Sequence, residues 1–211
     1  MLTIYLLRHG KTQGNLENRY NGRTDDPLCA EGIAEAEAGE HFPGVPLVYA
    51  SPLQRAQQTA RIFFPDAEIV TVQDLREMDF GDFEGRTAEE MADDAVYRAW
   101  VAGGCVDQCP NGEGIPDFAR RASKAFAASI QDAIRRRETR IGVTVHGGVI
   151  MAVMAAFSGL DVPYNAWYVR NCGGYELTLD ESVWAQKQTF ASYRLFGEQG
   201  ENKYSLDNNI E

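Results

Sequence analysis

The chain has 211 residues, of which 44% are hydrophobic and 24% are charged, a composition typical of a globular domain. The formal net charge of −11 argues against nucleic acid as a partner, because so acidic a protein repels polyanions. The length predicts a single domain over residues 1–211. No apolar run approaches the ~20 residues needed to cross a bilayer, so we expect no membrane partner either.

The first residues and the cysteines of the chain indicate its cellular compartment. Met1 leads straight into an apolar segment, without the basic region that begins a signal peptide, so we expect a cytoplasmic location. Four cysteines are scattered without a Cys-x-x-Cys pair, which favours free thiols: Cys29, Cys105, Cys109 and Cys172. Cys105 and Cys109 could pair or hold a metal, but no nearby histidine completes a zinc set. We therefore expect no metal.

Strands and helices alternate along the first third of the chain. The first strand, over residues 2–7, is β-branched and aromatic-rich and runs directly into Arg8-His9-Gly10. Glycine and asparagine are frequent over residues 10–27, which predicts a long functional loop with room for a helical turn. Further predicted elements are a helix over residues 31–41, a buried strand over residues 46–50 and a third strand over residues 68–72.

The helix after the second strand carries a capping signature. Ser51 is the predicted N-cap, Pro52 the first helical residue, and Gln54 the partner that completes a capping box. The predicted buried face consists of residues at helical spacing, namely Leu53, Ala56, Ala60 and Phe63. This helix places Arg55 in its first turn, close to the end of the preceding strand.

The middle of the chain is predicted to be mostly helical. Thr87 and Glu90 predict a capped helix that runs to about Val101, followed by a glycine- and cysteine-containing loop over residues 101–114. A long amphipathic helix begins at Ile115 and continues into the basic run at residues 135–137, which complements the helix dipole.

The last third returns to strands. A strand over residues 140–145 ends at His146-Gly147-Gly148, and an apolar helix over residues 149–157 follows. Residues 175–179 and 183–190 are predicted to form a hairpin around residues 180–182, and the polar end of the chain from about residue 197 is expected to fray. The fold class is therefore α/β, a three-layer α/β/α sandwich with a mostly parallel mixed sheet and an antiparallel edge element.

Two of the three histidines end buried strands and are followed by glycine. His9 and His146 thus fall where open α/β sheets bind ligands, and the helix beginning at Gly147 offers free N–H groups to an anion. His41 sits at a predicted helix end, where a surface role is expected. Histidine can act as a nucleophile at neutral pH, so phosphate chemistry on His9 is the leading interpretation.

Arg8 and Arg55 extend this argument. An arginine at a buried strand end is costly unless an anion neutralises it, and its planar fork of donors suits phosphate. For either arginine alone, a salt bridge to a structural carboxylate is an equal alternative. Convergence of both arginines with both histidines on one edge favours a bound phosphate.

An acidic stretch over residues 75–85 follows the third strand. In one interpretation, this stretch is a solvated acidic loop and its carboxylates have no catalytic role. A phosphate ester, however, needs a proton for its leaving oxygen, and a carboxylic acid beside phosphate oxygens can have a raised pKa. We expect one carboxylate of this stretch to be that acid.

Four motifs in this order resemble the histidine phosphatase superfamily, in the branch that contains cofactor-dependent phosphoglycerate mutases. They are Arg8-His9-Gly10, Ser51-Pro52-Leu53-x-Arg55-Ala56-x-x-Thr59-Ala60, Leu75-x-Glu77-x-x-Phe80-Gly81-x-x-Glu84-Gly85 and His146-Gly147-Gly148. Further similar positions include Asn15, Gly22, Asp25, Gly32 and Glu113. The resemblance covers most of the chain and is strongest to the alpha-ribazole and broad-specificity phosphatase types.

The resemblance implies a role for each site residue. His9 resembles the nucleophile that becomes phosphohistidine, and Glu77 the acid that protonates the leaving oxygen and then activates water. The residues that resemble the family's phosphate-binding positions are Arg8, Asn15, Arg55 and His146. We add three candidate binding positions, namely Gly22, Arg23 and Gly147. No cofactor is implied, and the expected partner is a small phosphorylated substrate.

Three functions remain open at this point. A phosphomonoesterase is favoured over a phosphoglycerate mutase, because the mutases that this chain resembles are longer and carry an extra segment over the site. A catalytically inactive phosphate-binding protein is the third alternative. Lys11 and Gly114 depart from the commoner pattern, which leaves the substrate undetermined; specificity is expected from residues 14–27 and 103–114. The oligomeric state is also open, with a homodimer among the alternatives.

Overall fold

The computed structural model describes residues 1–197, and within them six strands form one mixed sheet in the order β3-β2-β4-β1-β5-β6. The strands are β1 (Leu2–Arg8), β2 (Leu47–Ala50), β3 (Glu68–Thr71), β4 (Arg140–Val145), β5 (Gly174–Leu179) and β6 (Ser192–Phe196). Strands β1 to β4 are parallel, whereas β5 is antiparallel to β1 and β6 is antiparallel to β5. The predicted mixed sheet is confirmed; the expected fraying beyond Gly197 lies outside the described residues.

Helices cover both faces of the sheet. They are α1 (Gln13–Leu16), α2 (Ala30–Ala38), α3 (Gln54–Phe63), α4 (Ala95–Ala102), α5 (Ile115–Arg135), α6 (Gly147–Phe157) and α7 (Glu181–Lys187). In β1, Leu2, Ile4 and Leu6 join the core cluster that contains α5 and α6, while Tyr5 and Leu7 join a separate cluster with α2 and α3. Because side chains alternate across a strand, this division places the helix pairs on opposite faces, and the three-layer prediction is confirmed.

Two predicted helix caps are wrong. Helix α3 begins at Gln54 with Leu53 as its N-cap, so Ser51 does not cap it. Thr87 and Glu90 do exchange the two hydrogen bonds of a capping box, but they close only a turn, and α4 begins later with Asp94 as its cap. A capping box provides acceptors for the free backbone N–H groups of one turn. Helix growth also needs a following apolar face, which here begins with Tyr97.

The predicted hairpin after β5 is also wrong in its second half. Asp180 accepts hydrogen bonds from the backbone N–H groups of Ser182 and Val183, and this cap starts helix α7. Trp184 of that helix is buried. The antiparallel partner of β5 is instead β6, so the edge is antiparallel as predicted but is formed by a later segment.

Candidate active site

Strand register brings the two predicted histidines together. Arg8 pairs with Val145 across the parallel strands β1 and β4, so the next residues along the chain, His9 and His146, emerge side by side at the carboxyl edge of the sheet. Their ring centroids are 5.0 Å apart, and both residues are buried. The remaining histidine, His41, is exposed and lies within hydrogen-bond distance of the backbone carbonyl of Ala36.

The imidazole of His9 is held in one tautomer. Its Nδ1 lies 2.6 Å from the carbonyl oxygen of Gly10. Because a carbonyl oxygen only accepts, Nδ1 must carry the hydrogen, which leaves the lone pair on Nε2. Burial, together with the positive charges of Arg55 and Arg8, holds the pKa of His9 well below its usual range. His9 is therefore a neutral imidazole with Nε2 ready to attack.

His146 is oriented by a residue of the neighbouring strand end. Its Nε2 lies 2.7 Å from Oγ of Ser51, which directly follows β2. Oγ of Ser51 also accepts a long hydrogen bond from the backbone N–H of Leu53. Burial and the charge of Arg55 hold the pKa of His146 well below its usual range, so the ring is neutral. Because Oγ of Ser51 already accepts from Leu53, we assign the Ser51 hydroxyl as the donor to Nε2, which puts the ring hydrogen on Nδ1.

Both predicted arginines lie at this edge with only part of their donors engaged. Arg8 donates from Nη1 to the carbonyl oxygen of Val169, and its guanidinium lies 5.3 Å from the ring centroid of Tyr168. Arg55 is fully buried and donates to backbone carbonyls of the loop over residues 21–24. In each arginine Nε is buried without a hydrogen-bond partner, as is Nδ1 of His146.

Glu77 approaches the same edge from the loop after β3. One carboxylate oxygen accepts from the backbone N–H of Gly148 at 2.9 Å, and the other accepts from the N–H of Met78 at 3.0 Å. Burial raises the pKa of Glu77, and this effect exceeds the opposing influence of those two hydrogen bonds and of the arginines. Glu77 is thus suited to hold a proton close to the phosphate-binding donors.

The other carboxylates of the acidic stretch are used elsewhere. Glu84 accepts hydrogen bonds from the backbone N–H groups of Gly22 and Arg23 and from the Thr24 hydroxyl. Asp79 accepts from the N–H of Gly81, and Asp82 is bonded to the amide of Asn111. These contacts hold loops together, so Glu77 is the carboxylate of the stretch that faces the histidines.

Three of these groups, Arg8, His9 and Glu77, line a cavity of about 200 Å³, which we call the His9 cavity, whereas Arg55 and His146 are buried and do not line it. Its walls are formed by Arg8, His9, Asn15, Arg19, Tyr20, Asn21, Glu77, Phe80, Gly147, Gly148, Met151 and Tyr168. Asn15 and Gly147, both predicted binding residues, therefore lie in it. Oδ1 of Asn15 accepts from the backbone N–H of Thr12, which leaves the NH₂ group of Asn15 to donate to a ligand.

Gly22 and Arg23, two further predicted binding residues, do not line the His9 cavity. The N–H of Gly22 is taken by Glu84, and a Cβ at this position would lie 1.8 Å from the carbonyl oxygen of Met78, so glycine is required for close packing of backbones. Arg23 has an exposed side chain beside Asp79. Both residues belong to a loop clamped between Glu84 and Arg55, which keeps them out of the cavity.

Sequence reasoning missed several residues of the site. Met151 lies one helical turn after Gly147, a spacing that indicates a shared helix face. The local pattern around Ser51 predicts a helix cap, while its bond to His146 depends on the pairing of β2 with β4. Nothing in the local sequence marks Arg19, which reaches the cavity from the loop after α1.

Among residues 1–197 no cluster of three or more histidine, cysteine or acidic side chains is arranged to hold a metal ion, and the four cysteines are free thiols. None of the helices in the same range combines the length and apolar character that crossing a bilayer requires.

Comparison with known proteins places this geometry among relatives. A model of the histidine phosphatase superfamily (branch 1) matches residues 4–191. The adenosylcobalamin/alpha-ribazole phosphatase of Escherichia coli K12 is 32% identical over 205 residues, which cover 92% of this chain and 95% of the relative. A 2,3-bisphosphoglycerate-dependent phosphoglycerate mutase of Gloeobacter violaceus is 33% identical over 165 residues, which cover 73% of this chain and 74% of the relative.

The similar solved structures also include both a phosphatase and a phosphoglycerate mutase. The alpha-ribazole phosphatase from Shigella flexneri superimposes with a TM-score of 0.75 at 27% identity, over 85% of this chain and 92% of that structure. A phosphoglycerate mutase from Thermus thermophilus superimposes with a TM-score of 0.64 at 26% identity, over 91% of this chain and 98% of that structure.

Proposed function

Because the chain belongs to the histidine phosphatase superfamily (branch 1), we propose that it hydrolyses monoesters of a small phosphorylated metabolite through a phosphohistidine formed on His9. His9, Glu77, Arg8 and Asn15 are assigned from their positions around the His9 cavity, and Arg55 and His146 from the buried, unpartnered donors that they carry.

The observation that carries the proposal is the set of three buried donors without partners. They are Nε of Arg8, Nε of Arg55 and Nδ1 of His146, which we call the phosphate-binding set. A buried donor without an acceptor costs about 1–3 kcal/mol, so three such groups beside one histidine indicate a bound anion with several acceptor oxygens. Two of the three belong to guanidinium groups, which suit the charge and geometry of phosphate.

The first step transfers the phosphoryl group to His9. The Nε2 lone pair attacks phosphorus, an N–P bond forms, and the bond between phosphorus and the ester oxygen breaks. The proton on Glu77 passes to the leaving oxygen, which departs as an alcohol. The phosphate-binding set stabilises the negative charge on the transferring group, where positioning and electrostatics supply most of the catalysis.

The second step returns the enzyme to its starting state. Glu77, now a carboxylate, accepts a proton from a water molecule whose oxygen attacks phosphorus. The N–P bond breaks, inorganic phosphate forms, and His9 regains a neutral Nε2 while Nδ1–H stays bonded to Gly10. Glu77 has recovered its proton, so one ester and one water have become one alcohol and one phosphate.

Phosphatases and phosphoglycerate mutases match this chain at similar identity and coverage, so the preference for hydrolysis is supported by structural similarity. The alpha-ribazole phosphatase superimposes with a TM-score of 0.75, whereas the Thermus thermophilus mutase superimposes with a TM-score of 0.64. The substrate is proposed to be a phosphorylated metabolite of the kind that phosphatase relatives act on. We also propose a cytoplasmic location, supported by the free thiols, and no nucleic-acid partner, supported by the net charge of −11.

One assay separates the three functions considered. The purified protein is incubated in EDTA with an aryl phosphate and with alkyl phosphates, and then with 3-phosphoglycerate plus a bisphosphoglycerate primer. Release of phosphate from the esters supports the hydrolase. Interconversion of phosphoglycerates faster than phosphate release would identify a mutase, and absence of both activities would leave a phosphate-binding protein.

A further inference from the structure

A second cavity of about 160 Å³ adjoins the His9 cavity, and we call it the Phe118 cavity. It is lined by Glu77, Met78, Phe80, Trp100, Cys105, Ile115, Phe118, Gly148, Met151 and Tyr164. Side chains from α4, α5 and α6 meet here with the loop that carries Glu77. Apart from the Glu77 carboxylate, the lining is made almost entirely of apolar and aromatic groups.

The two cavities share four residues. Glu77, Phe80, Gly148 and Met151 line both, so these residues form the boundary between them. Glu77 is the group that protonates the leaving oxygen in the proposed function, and this residue lines both cavities. An ester whose phosphate lies against the phosphate-binding set thus has its leaving oxygen beside Glu77, with the Phe118 cavity on the far side.

We propose that the Phe118 cavity binds an apolar group of the leaving alcohol, so that the preferred substrates are phosphate monoesters with a hydrocarbon or aromatic group close to the ester oxygen. This inference rests on the proposed function, because it uses Glu77 as the acid. It adds the substrate class, and it names Ile115, Phe118 and Trp100 as residues that select it.

The polar groups around the Phe118 cavity are already engaged. The Tyr164 hydroxyl donates to the carbonyl oxygen of Gly148 at 2.8 Å, and Nε1 of Trp100 donates to the carbonyl oxygen of Asp107 at 2.9 Å. Among the residues that the structure describes, no cationic side chain lines this cavity. A carboxylate or a polyhydroxyl group placed there would lose hydrogen bonds to water without replacing them, which disfavours such leaving groups.

Arg121 is the nearest candidate exception, because its guanidinium lies 5.2 Å from the ring centroid of Phe118. Its donors are committed to protein acceptors. They bind both carboxylate oxygens of Glu113 and the backbone carbonyls of Asp74, Arg76 and Glu77. Arg121 therefore supports the loop that carries Glu77 and has no free donor for a substrate carboxylate.

The volume sets the size of the group that fits. An apolar protein cavity of about 150 Å³ accommodates a benzene molecule, so 160 Å³ allows one aromatic ring or a short alkyl chain. Met151 and Phe80 stand at the boundary, and the unbranched side chain of methionine adapts readily to the shape of a ligand.

The test uses esters that share one leaving-group chemistry. Methyl, ethyl, butyl and 2-phenylethyl phosphates are all primary alkyl esters, and glycerol 3-phosphate and 3-phosphoglycerate are polar counterparts of similar size. In a hydrophobic pocket each added methylene changes kcat/KM by about tenfold or more. We expect kcat/KM to rise from methyl to butyl and 2-phenylethyl phosphate and to exceed that for glycerol 3-phosphate by at least about tenfold.

Variants at Ile115 change the volume in opposite directions. Ile115→Trp fills the cavity, and we expect it to lower kcat/KM for 2-phenylethyl phosphate at least about tenfold while leaving methyl phosphate within about twofold. Ile115→Ala enlarges the cavity and is expected to shift the preference toward longer chains. Ala128→Trp is the matched control, because Ala128 is exposed on the same helix and lines neither cavity.

Failure of this inference is distinguishable from failure of the proposed function. Equal kcat/KM along the series, or a preference for 3-phosphoglycerate, would overturn the apolar cavity while leaving hydrolysis through His9 intact. An unchanged chain-length preference in both Ile115 variants would do the same. Absence of phosphate release from every ester, with no phosphohistidine formed, would instead overturn the function on which the inference rests.

Discussion

The phosphate side of the site offers free polar donors, whereas its leaving-group side is apolar. The phosphate side is formed where β1, β2 and β4 end, and it presents three buried donors without partners beside a neutral histidine. The leaving-group side is formed by loops and by the helices α4 to α6, and its polar side-chain groups donate to backbone carbonyl oxygens. Rigid strand ends thus hold the chemistry, while side chains of helices and loops decide which alcohol is accepted. The following variants test that division.

The largest effect is expected on the phosphate side, at the nucleophile. His9→Ala removes the group placed to form the N–P bond, and we expect kcat to fall at least about 10⁴-fold. Alkaline-quenched samples analysed by intact mass should show a phosphoryl adduct on the unmodified protein and none on the variant. His41→Ala, an exposed histidine, serves as control. Turnover by His9→Ala close to that of the control would contradict the assignment.

Arg55 tests the electrostatic part of the phosphate side. Arg55→Met retains bulk but removes the charge and the Nε donor, and we expect kcat/KM to fall by about 10² to 10³. Because Arg55 also binds backbone carbonyls of the loop over residues 21–24, thermal unfolding is measured in parallel. Arg61→Met is the matched control on the same helix, where the side chain is exposed. A loss below about threefold in a folded variant would remove Arg55 from the set.

Glu77 lies between the two sides and should discriminate between leaving groups. Glu77→Gln cannot supply a proton, so we expect alkyl esters to slow by about 10² to 10⁴ and activated aryl esters far less. Because burial raises the pKa of Glu77, its proton is held above the usual carboxyl range and is lost as the pH rises. The alkyl-ester rate should therefore fall on the alkaline side, and this limb should vanish in the variant.

The control for Glu77 is Asp82→Asn, which alters an exposed carboxylate of the same stretch bonded to Asn111. It is expected to leave both substrate classes and the pH profile unchanged. Equal losses on alkyl and aryl esters in Glu77→Gln would argue that the carboxyl has a structural role rather than that of an acid.

The smallest effect is expected at Ser51, which acts through His146. Ser51→Ala removes the hydroxyl that keeps the hydrogen of His146 on Nδ1, and the loss of one such hydrogen bond corresponds to about a tenfold fall in kcat. The pH at which activity declines on the acidic side should also rise, because the freed Nε2 protonates more readily. Ser129→Ala, another buried serine, bonded within α5, is the control. Identical pH profiles in both variants would contradict the positioning role.

The sequence was sufficient for the elements that carry the nucleophile. Strands β1 and β4 are each followed directly by a histidine and a glycine, and their parallel pairing brings the two rings together. It was insufficient where a local signal competed with a long-range one. Ser51 stands in a local pattern typical of a helix cap, but it bonds to His146. The segment after Asp180 has residues typical of a strand but forms α7, because an aspartate cap and a buried tryptophan favour a helix there.

The sequence by itself determined the fold class, the sheet edge that carries the nucleophile, and the motifs that contain the cationic and acidic residues. The reason is that the hydrophobic periodicity of strands and helices and the motifs at strand ends are local properties. Family resemblance had already named Glu77 as the acid. Tertiary structure decided how its carboxyl is held, why Gly22 and Arg23 lie outside the His9 cavity, and where an apolar leaving group fits. Those outcomes depend on contacts between segments far apart along the chain, such as Glu77 with Gly148 and Glu84 with Gly22, and residue spacing alone does not specify which of the available partners a side chain takes.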